Sequence, residues 1–231
     1  MISFVIPAYN EERYLGATLA AIHEAMKELG TRYEIIVADD ASTDHTASVA
    51  ANLGATVVRV EKRQIAGTRN AGAAKARGGT LVFVDADTRV NADVVRGVID
   101  AIASGAVAGG AAVRFDSAPR WANAILKVLV PMFRAMRWAA GCFLFCTREA
   151  FDAVGGFDEA YYASEEIHMS RALGRKGRFV VLREAVTTSG RKTQKYNLWR
   201  SLGLMARLLA SGLSGVKSRR ATADFWYDGK R

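Results

Sequence analysis

Short apolar runs alternate with longer amphipathic patterns along the first half of the chain. Four runs rich in Val, Ile and Phe predict strands that are buried on both faces, at residues 2–6, 33–38, 55–60 and 80–84. Between the first two runs, apolar residues recur at steps of three and four, which predicts an amphipathic helix that stops at Gly30. Three further helices are predicted, at residues 44–53, 67–76 and 91–103. This alternation favours an α/β fold, with a mostly parallel sheet that has helices on both faces.

The second half of the chain has a less regular pattern. Two strands are predicted at residues 107–115 and 142–147, and a helix is predicted at residues 165–176. Residues 121–140 form a long apolar stretch that is interrupted by Pro131 and three basic residues. Residues 196–216 repeat leucines along one side of a helical pattern, so we expect a helical C-terminal tail after the sheet.

The net charge of +9 is concentrated at the C-terminal end. From Arg171 onward, fifteen Lys and Arg face three acidic residues, a balance of +12, so the first 170 residues sum to −3. Such a segment suits a phosphate-bearing substrate, an anionic lipid or a nucleic acid, although a solvated basic face explains it as well. No nucleic acid is expected as a partner, because the basic residues are not interleaved with an aromatic stacking platform.

The composition also bears on the compartment. Half of the 231 residues are hydrophobic and only three are proline, so a packed core is expected. The start of the chain does not resemble a signal peptide, and no uncharged apolar stretch reaches 18 residues, so we expect a cytoplasmic protein. Cys142 and Cys146 are too few for a disulfide framework or a complete zinc site, and reduced thiols are expected.

Polar residues follow each of the first four predicted strands, at residues 7–11, 39–44, 61–63 and 85–87. In a parallel sheet these loops meet at the carboxyl ends of the strands, where ligands bind. Carboxylates gathered there repel one another, and a divalent cation, with or without a cationic side chain, would relieve that repulsion. If extended backbone continues past Val84, Asp85 and Asp87 point to one side, and their oxygens suit Mg²⁺ or Mn²⁺. The alternative, that these acids and amides only cap helices, is kept open for Asn10 and Asp44.

Several motifs in a fixed order carry a family resemblance. They are Phe-Val-Ile-Pro-Ala-Tyr-Asn-Glu (4–11), Glu-Ile-Ile-Val-Ala-Asp-Asp-Ala-Ser-Thr-Asp (34–44), Gly-Thr-Arg-Asn-Ala-Gly (67–72), Leu-Val-Phe-Val-Asp-Ala-Asp (81–87), Gly-Gly-Phe-Asp-Glu (155–159) and Ser-Glu-Glu-Ile (164–167). Over about residues 2–190 the chain resembles the family 2 glycosyltransferases, which have the Rossmann-like GT-A fold. The resemblance implies a metal-dependent, inverting transfer of a sugar from a nucleoside-diphosphate sugar. The Gln-x-x-Arg-Trp signature of processive synthases is absent, which favours a single transfer.

The resemblance implies a set of donor-binding residues on four loops, namely Pro7, Tyr9, Glu11, Asp39, Asp40, Arg63, Arg69, Asn70 and Asp85. Asp40 matches the carboxylate that holds the base, usually uracil or guanine, so a UDP-type or GDP-type donor is expected. Arg69 and Asn70 match a segment near the nucleotide and the diphosphate. Asp85 is expected to face the ribose or the donor sugar, and Asp87 to ligate Mg²⁺ or Mn²⁺, with Asp85 as a second candidate ligand.

The catalytic base is expected in the Glu165–Glu166 pair. The family commonly has Glu-Asp here with the second acid as base, which makes Glu166 the candidate. The extra methylene moves the carboxylate by more than about 1 Å, which matters for hydrogen-bond reach. A charge that favours the N-terminus of a helix is the structural alternative. An ionised lipid phosphate as acceptor would need no strong base. His168 could serve the metal or the acceptor, or be structural.

The expected organisation is a nucleotide-sugar-binding half at residues 1–110, an acceptor-binding half of the same GT-A domain at residues 111–190, and a basic amphipathic tail at residues 191–231. The acceptor is expected to be a sugar or a lipid-linked molecule. Residues 121–140 and 196–220 combine aromatic, apolar and basic residues, which predicts weak contact with the inner face of the membrane, although core packing explains the apolar stripe equally simply.

Two other functions stay open from the sequence. Asp85-Ala86-Asp87-Thr88 after an apolar strand also resembles the nucleophile motif of haloacid-dehalogenase-type phosphatases, in which the first Asp is phosphorylated. That motif usually lies on the first strand, whereas three predicted strands precede it here. A non-catalytic, membrane-associated GT-A-like binding protein is the other alternative, although the intact acids at residues 40, 85, 87 and 166 argue against it.

Overall fold

The computed structural model describes residues 1–191, apart from the side chains at positions 120, 122, 123 and 128. The helical pattern at residues 196–216 and the predicted tail, except for Arg191, lie outside the described residues. Within residues 1–191, no helix is long and apolar enough to cross a membrane.

Eight strands of the described part of the chain form one sheet: β1 (Ile2–Ala8), β2 (Tyr33–Asp40), β3 (Thr56–Val60), β4 (Thr80–Val84), β5 (Thr88–Arg89), β6 (Ala106–Phe115), β7 (Phe143–Thr147) and β8 (Arg178–Thr188). Their order in the sheet is β3-β2-β1-β4-β7-β6-β8-β5. Neighbours are parallel from β3 to β4, which confirms the prediction for the first half. Beyond β4 the pairing is mixed: β7 is antiparallel to both neighbours, β6 and β8 are parallel, and β5 is antiparallel to β8.

Within residues 1–191, seven helices cover the sheet: α1 (Glu12–Leu29), α2 (Thr46–Asn52), α3 (Ile65–Lys75), α4 (Ala92–Ala103), α5 (Arg120–Met136), α6 (Arg148–Val154) and α7 (Glu165–Gly174). The predicted apolar stripe of α1 is buried, and Gly30 ends this helix in the left-handed conformation with its N–H on the Met26 carbonyl. One core cluster lies between the sheet and α1 with α4, and a second lies on the opposite face with α3, α6 and α7. The helices therefore cover both faces, as the alternating pattern predicts.

The elements that the sequence pattern missed lie in the second half. The pattern predicted neither β5, β8 nor α6, and the apolar stretch at residues 121–140 is largely the helix α5, which continues through Pro131. β8 lacks a clean apolar run because Arg183 and Glu184 interrupt it. The approach of β8 to β6 requires Gly109, where a Cβ atom would come within 2.1 Å of the Val180 carbonyl oxygen.

Candidate active site

A cavity of about 420 Å³ opens at the carboxyl ends of β1, β2 and β4 and extends to α5. The topology brings to its wall ten of the twelve residues that the resemblance implies, namely Pro7, Tyr9, Glu11, Asp40, Arg63, Arg69, Asp85, Asp87, Glu165 and Glu166. These residues come from five separate segments of the chain. Their convergence agrees with the rule that open α/β sheets bind ligands beyond the carboxyl ends of the strands.

The structure does not bring Asp39 and Asn70 to the wall of this cavity. Asp39 is buried and accepts a hydrogen bond from the amide of Ser42 at 3.3 Å. The side chain of Asn70 donates to the carbonyl of Phe157 at 2.8 Å and accepts from its amide at 2.9 Å. Asn70 therefore holds the loop after α6.

Asn10 and Asp44 tie the loop after β1 to the loop after β2. The side chain of Asn10 accepts the amide of Thr43 at 2.8 Å. The carboxylate of Asp44 accepts the amide of Glu12 at 3.2 Å and that of Thr46 at 2.9 Å, at the starts of α1 and α2. The bonds of Asp44 to the starts of α1 and α2 fit the capping interpretation, whereas the bond of Asn10 joins two loops and caps neither helix.

Asp40 has a fixed orientation at the end of β2. Its Oδ1 accepts the amides of Lys62 and Arg63 at 2.6 and 3.0 Å, and its Oδ2 accepts the hydroxyl of Thr68 at 3.1 Å. The guanidinium carbon of Arg63 lies 4.6 Å from the centroid of the Tyr9 ring, within the range of a cation–π contact. The loop after β3 thus holds a carboxylate and a flat cationic surface at one end of the cavity.

An inner cluster joins Arg69 of α3 to Asp85 and Glu165. The Arg69 side chain is 2% exposed; Nη1 donates to Glu165 at 2.8 Å, and Nη2 donates to Asp85 at 3.0 Å and to the carbonyl of Gly141 at 2.7 Å. Burial lowers the pKa of Arg69, but the charges of the two carboxylates raise it by more. Arg69 thus lies in the cavity wall, as expected of a residue near the donor, but its guanidinium is engaged within the protein.

A rim cluster joins Arg191 to Glu11 and Asp87. The guanidinium binds Glu11 through two hydrogen bonds of 2.7 and 2.9 Å, and its Nη2 lies 2.9 Å from Asp87 Oδ2. It also lies over the ring of Tyr14, 4.6 Å from the centroid. Burial lowers the pKa of Arg191, but Glu11 and Asp87 raise it by more. Sequence reasoning missed this residue, because it counted only as one charge of a basic tail.

The segment that carries Asp85 and Asp87 is a turn. The backbone therefore does not continue as a strand past Val84, which was the condition for both side chains to point to one side. β4 ends at Val84, and the amide of Thr88 donates to the carbonyl of Asp85 at 3.0 Å. The carbonyl of the buried Ala86 accepts the hydroxyl of Thr18 at 2.8 Å. Ala86 is therefore anchored in the core, while both carboxylates still line the cavity.

The carboxylate oxygens in the cavity fit a divalent cation that takes some of its ligands from the protein and the others from a substrate. In the part of the chain that the structure describes, no three His, Cys, Asp or Glu side chains converge as a complete metal cage. Asp85 and Asp87 offer two carboxylates, and Mg²⁺ is usually bound by one or two carboxylates together with phosphate oxygens and water. Six acidic side chains and three guanidinium groups line the cavity, and even with Glu166 protonated its wall is net acidic and repels a diphosphate unless a cation is added.

Glu166 lies at the start of α7, half-buried in the cavity wall. Burial, and then repulsion from Glu165, raise the pKa of Glu166 to about 8. A Cβ atom on Gly141 would come within 3.2 Å of this carboxyl group, so Gly141 leaves room beside it. Glu166 thus combines access to the cavity with a proton affinity near neutral pH, as a general base requires.

The surroundings of His168 fit a structural role, and the two cysteines are not paired with each other. The ring of His168 stacks on Tyr161 with centroids 3.9 Å apart, outside the cavity wall. Cys142 and Cys146 are free thiols, as predicted, and burial raises the pKa of each.

The far side of the cavity is apolar. Its members are half-buried hydrophobic side chains of α5 and β6, namely Val113, Phe115, Leu126, Leu129, Val130 and Phe133. We call this set the apolar wall. It faces a space that continues to the acidic end, so one cavity offers both a charged and an apolar surface.

The chain matches the model of a protein family described as Glycosyl transferase family 2 over residues 3–157. It is 32% identical over 140 residues to an undecaprenyl-phosphate 4-deoxy-4-formamido-L-arabinose transferase of Pseudomonas aeruginosa, a match that covers 56% of this chain and 41% of that protein. It is 31% identical over 109 residues to a dolichol-phosphate mannosyltransferase of Pyrococcus furiosus, covering 45% and 30% of the two chains. The matched region thus spans less than half the length of these curated relatives.

Solved structures with the same fold are also similar. Mannosyl-3-phosphoglycerate synthase from Rubrobacter xylanophilus aligns with a TM-score of 0.69 at 20% identity, covering 100% of this chain and 77% of that one. Mannosyltransferase PcManGT from Pyrobaculum calidifontis, solved with GDP-Man and Mn²⁺, aligns with a TM-score of 0.68 at 20% identity, covering 98% and 68%. At this identity the likeness establishes the GT-A fold alone, which confirms the predicted fold class.

Proposed function

Because the chain belongs to glycosyl transferase family 2, we propose that it transfers one sugar from a nucleoside-diphosphate sugar to an acceptor, with inversion at the anomeric carbon. One observation carries this proposal: a single cavity gathers, at its acidic end, the side chains that the family resemblance assigns to the donor, and a candidate base, Glu166, lies in the same wall. The donor base, the sugar and the acceptor belong to the proposal.

The donor is proposed to bind with its base at the Asp40 end of the cavity. Asp40 is held by two backbone amides, so its carboxylate is oriented before the ligand arrives. Tyr9 and Arg63 present a flat, cationic surface beside it, against which a uracil or guanine ring can lie. This arrangement supports a UDP-type or GDP-type donor.

The diphosphate is proposed to lie at Asp85 and Asp87, together with Mg²⁺ or Mn²⁺. A bound divalent cation would neutralise the charge that develops on the leaving diphosphate. Asp87 would hold the cation and Asp85 would face the ribose or the donor sugar, with Asp85 as a second candidate ligand. The net acidic wall supports this assignment, and so does the Mn²⁺ in the similarly folded PcManGT complex.

Glu166 is proposed to act as the general base. Its carboxylate takes the proton of the acceptor hydroxyl, whose oxygen attacks the anomeric carbon on the side opposite the diphosphate. The bond from that carbon to the diphosphate oxygen breaks, and the nucleoside diphosphate leaves with the bonding electrons. Arg69 holds Glu165 and thereby the first turn of α7, so we assign it a positioning role in place of diphosphate binding.

The apolar wall supports an acceptor with an apolar part. A sugar hydroxyl or a lipid-linked phosphate could lie at the acidic end with the rest of the acceptor against α5. Two of the matching relatives act, by their names, with undecaprenyl phosphate and dolichol phosphate. Because such lipids lie in membranes, we also propose that the protein makes weak contact with the cytoplasmic face of a membrane.

The two other functions considered from the sequence have less support. A phosphatase nucleophile must reach a phosphorus atom, whereas Asp85 is held by Arg69 and follows the fourth strand of a GT-A fold. A binding protein without activity would not need a half-buried Glu166 with a raised pKa beside the donor acids.

A thermal-shift screen of UDP, GDP and dTDP, each with Mg²⁺ or Mn²⁺, tests the proposal. A nucleotide present at about 100 times its Kd is expected to raise the Tm by about 5–10 °C, because it binds only the folded state. The metal-dependent part of that shift should vanish in Asp87→Ala. Asp93→Ala, which removes an exposed acid of α4, is the matched control and should keep it.

Absence of any metal-dependent shift, combined with release of phosphate from a phosphate ester in Mg²⁺, would overturn the proposal in favour of the phosphatase.

A further inference from the structure

The segment after β8 is hydrogen-bonded to the loop that carries Asp87. The amide of Ser189 donates to the carbonyl of Asp87 at 3.2 Å, and the amide of Gly190 donates to the carboxylate of Asp116 at 3.2 Å. Gly190 is required for this approach, because a Cβ atom there would lie 2.5 Å from the carbonyl oxygen of Ser117. Arg191 therefore reaches the cavity from an anchored backbone.

The guanidinium of Arg191 lies between two carboxylates. Its Nη2 is shared by Glu11 Oε1 at 2.7 Å and Asp87 Oδ2 at 2.9 Å. Asp87 is the carboxylate that we assign to the divalent cation, so a side-chain cation and a metal would compete for one group. The Arg191 side chain is 21% exposed, compared with 2% for Arg69. Arg191 therefore borders the open cavity, where its guanidinium can exchange one partner for another.

We propose that Arg191 is the internal counter-ion of the donor-free protein and makes metal binding depend on the diphosphate. While Arg191 holds Asp87, a divalent cation meets a positive guanidinium and an incomplete set of ligands among residues 1–191. A nucleoside diphosphate adds phosphate oxygens and negative charge, which attract both cations at once. Arg191 then keeps Glu11 and yields Asp87. This inference rests on the proposed function, because it assumes a diphosphate–metal complex at Asp87.

The consequence is a thermodynamic coupling between metal and nucleotide. Each should raise the affinity of the protein for the other by the same factor. Part of that factor should depend on one side chain, Arg191, because its charge weakens the binding of the metal alone.

Mn²⁺ binding to the full chain, followed by electron paramagnetic resonance and calorimetry with and without UDP or GDP, tests this inference. Arg191→Met should tighten the binding of Mn²⁺ alone by about tenfold, since it removes a unit charge next to the ligand carboxylate. The gain in Mn²⁺ affinity on adding nucleotide should shrink by a similar factor. Arg191→Lys, which restores the charge, should return both values towards wild type.

Arg63→Met is the matched control, because it removes a guanidinium from the same cavity that lies on Tyr9 and not on Asp87. It should change the affinity for Mn²⁺ alone by less than about threefold, as expected of a guanidinium that is engaged with the Tyr9 ring and screened by salt. A circular dichroism spectrum and an unfolding curve establish that each variant is folded.

The outcomes separate the two proposals. If wild-type protein binds no Mn²⁺ even with UDP or GDP, the proposed function fails, and this inference with it. If wild type binds Mn²⁺ with nucleotide but Arg191→Met leaves the affinity for Mn²⁺ alone unchanged, or Arg63→Met tightens it equally, only the role of Arg191 is refuted.

Discussion

The inner cluster and the rim cluster use the same chemistry at two depths of one cavity. Each places one guanidinium between two carboxylates that lie on distant loops: Arg69 in the inner cluster and Arg191 in the rim cluster. They differ in exposure, since the Arg69 side chain is 2% exposed and the Arg191 side chain 21%. Arg69 also donates to a backbone carbonyl, whereas Arg191 lies over an aromatic ring.

The difference in depth separates a structural ion pair from one that can exchange its counter-ion. A buried ion pair is costly to break, because the remaining charge has no solvent to replace its partner. A partly exposed pair can trade one counter-ion for another, because water and incoming ligands reach it. We therefore assign the inner cluster to holding α3, α7 and the Asp85 turn together, and the rim cluster to answering the state of the donor site.

Arg69→Met is expected to have the largest effect on this comparison. It leaves Asp85 and the buried Glu165 without their counter-charge, so the free energy of unfolding should fall by about 3–5 kcal/mol. Arg191→Met should cost less, because its guanidinium is partly solvated. Arg96→Met is the matched control, since Arg96 also binds two carboxylates but lies half-exposed on α4, and its loss should cost at most about 1 kcal/mol.

Urea unfolding of the three variants measures this order. Equal losses for Arg69→Met and Arg191→Met would remove the distinction between the two clusters.

Glu166→Gln sharpens the comparison at the inner end. Glu166 adjoins the inner cluster but is not one of the partners that bind Arg69, so its loss should affect chemistry and spare the fold. We expect sugar transfer to slow by about 10²–10⁴-fold, the usual contribution of a general base. The thermal shift by nucleotide and metal should persist, because the rim cluster is unchanged. Transfer is measured with the nucleotide sugar whose diphosphate binds in the screen.

Glu149→Gln serves as the control. Glu149 lies in the first turn of α6, as Glu166 does in the first turn of α7, but Glu149 is exposed and Glu166 is half-buried. Unchanged transfer by Glu166→Gln would exclude Glu166 as the base and favour an acceptor that is already ionised, such as a lipid phosphate.

Per pH unit, the smallest expected effect is on the pH dependence of stability. The pKa of Glu166 is about 8 in the folded protein and near 4.5 without its surroundings. Between these values the folded state binds the additional proton, so the free energy of unfolding should decrease as pH rises from about 5 to 8, by less than about 1.4 kcal/mol per pH unit. Glu166→Gln should remove this part of the slope. Urea unfolding at pH 5.5, 6.5 and 7.5 measures it, and identical slopes in the two proteins would contradict the burial of this carboxyl group.

The first half of the fold follows from local patterns. Apolar runs and their spacing predict β1 to β4 and α1 to α4, because buried strands and amphipathic helices are encoded by neighbouring residues. The rule for parallel sheets then brings the ends of these strands together, which explains why most of the predicted residues line the cavity. β8 was missed because its apolar residues are interrupted by charges and its position depends on pairing with β6, about 70 residues earlier in the chain.

What the sequence by itself determined is therefore the order of the elements, the family and the side chains available at the strand ends. Only the tertiary structure decided how those side chains are engaged. It placed Arg69 on Asp85 and Glu165 within the protein, and it brought Arg191 to Glu11 across 180 positions of the chain. The physical reason is that a secondary structure depends on residues within one or two turns, whereas the partner of a charge depends on which distant segments pack beside it.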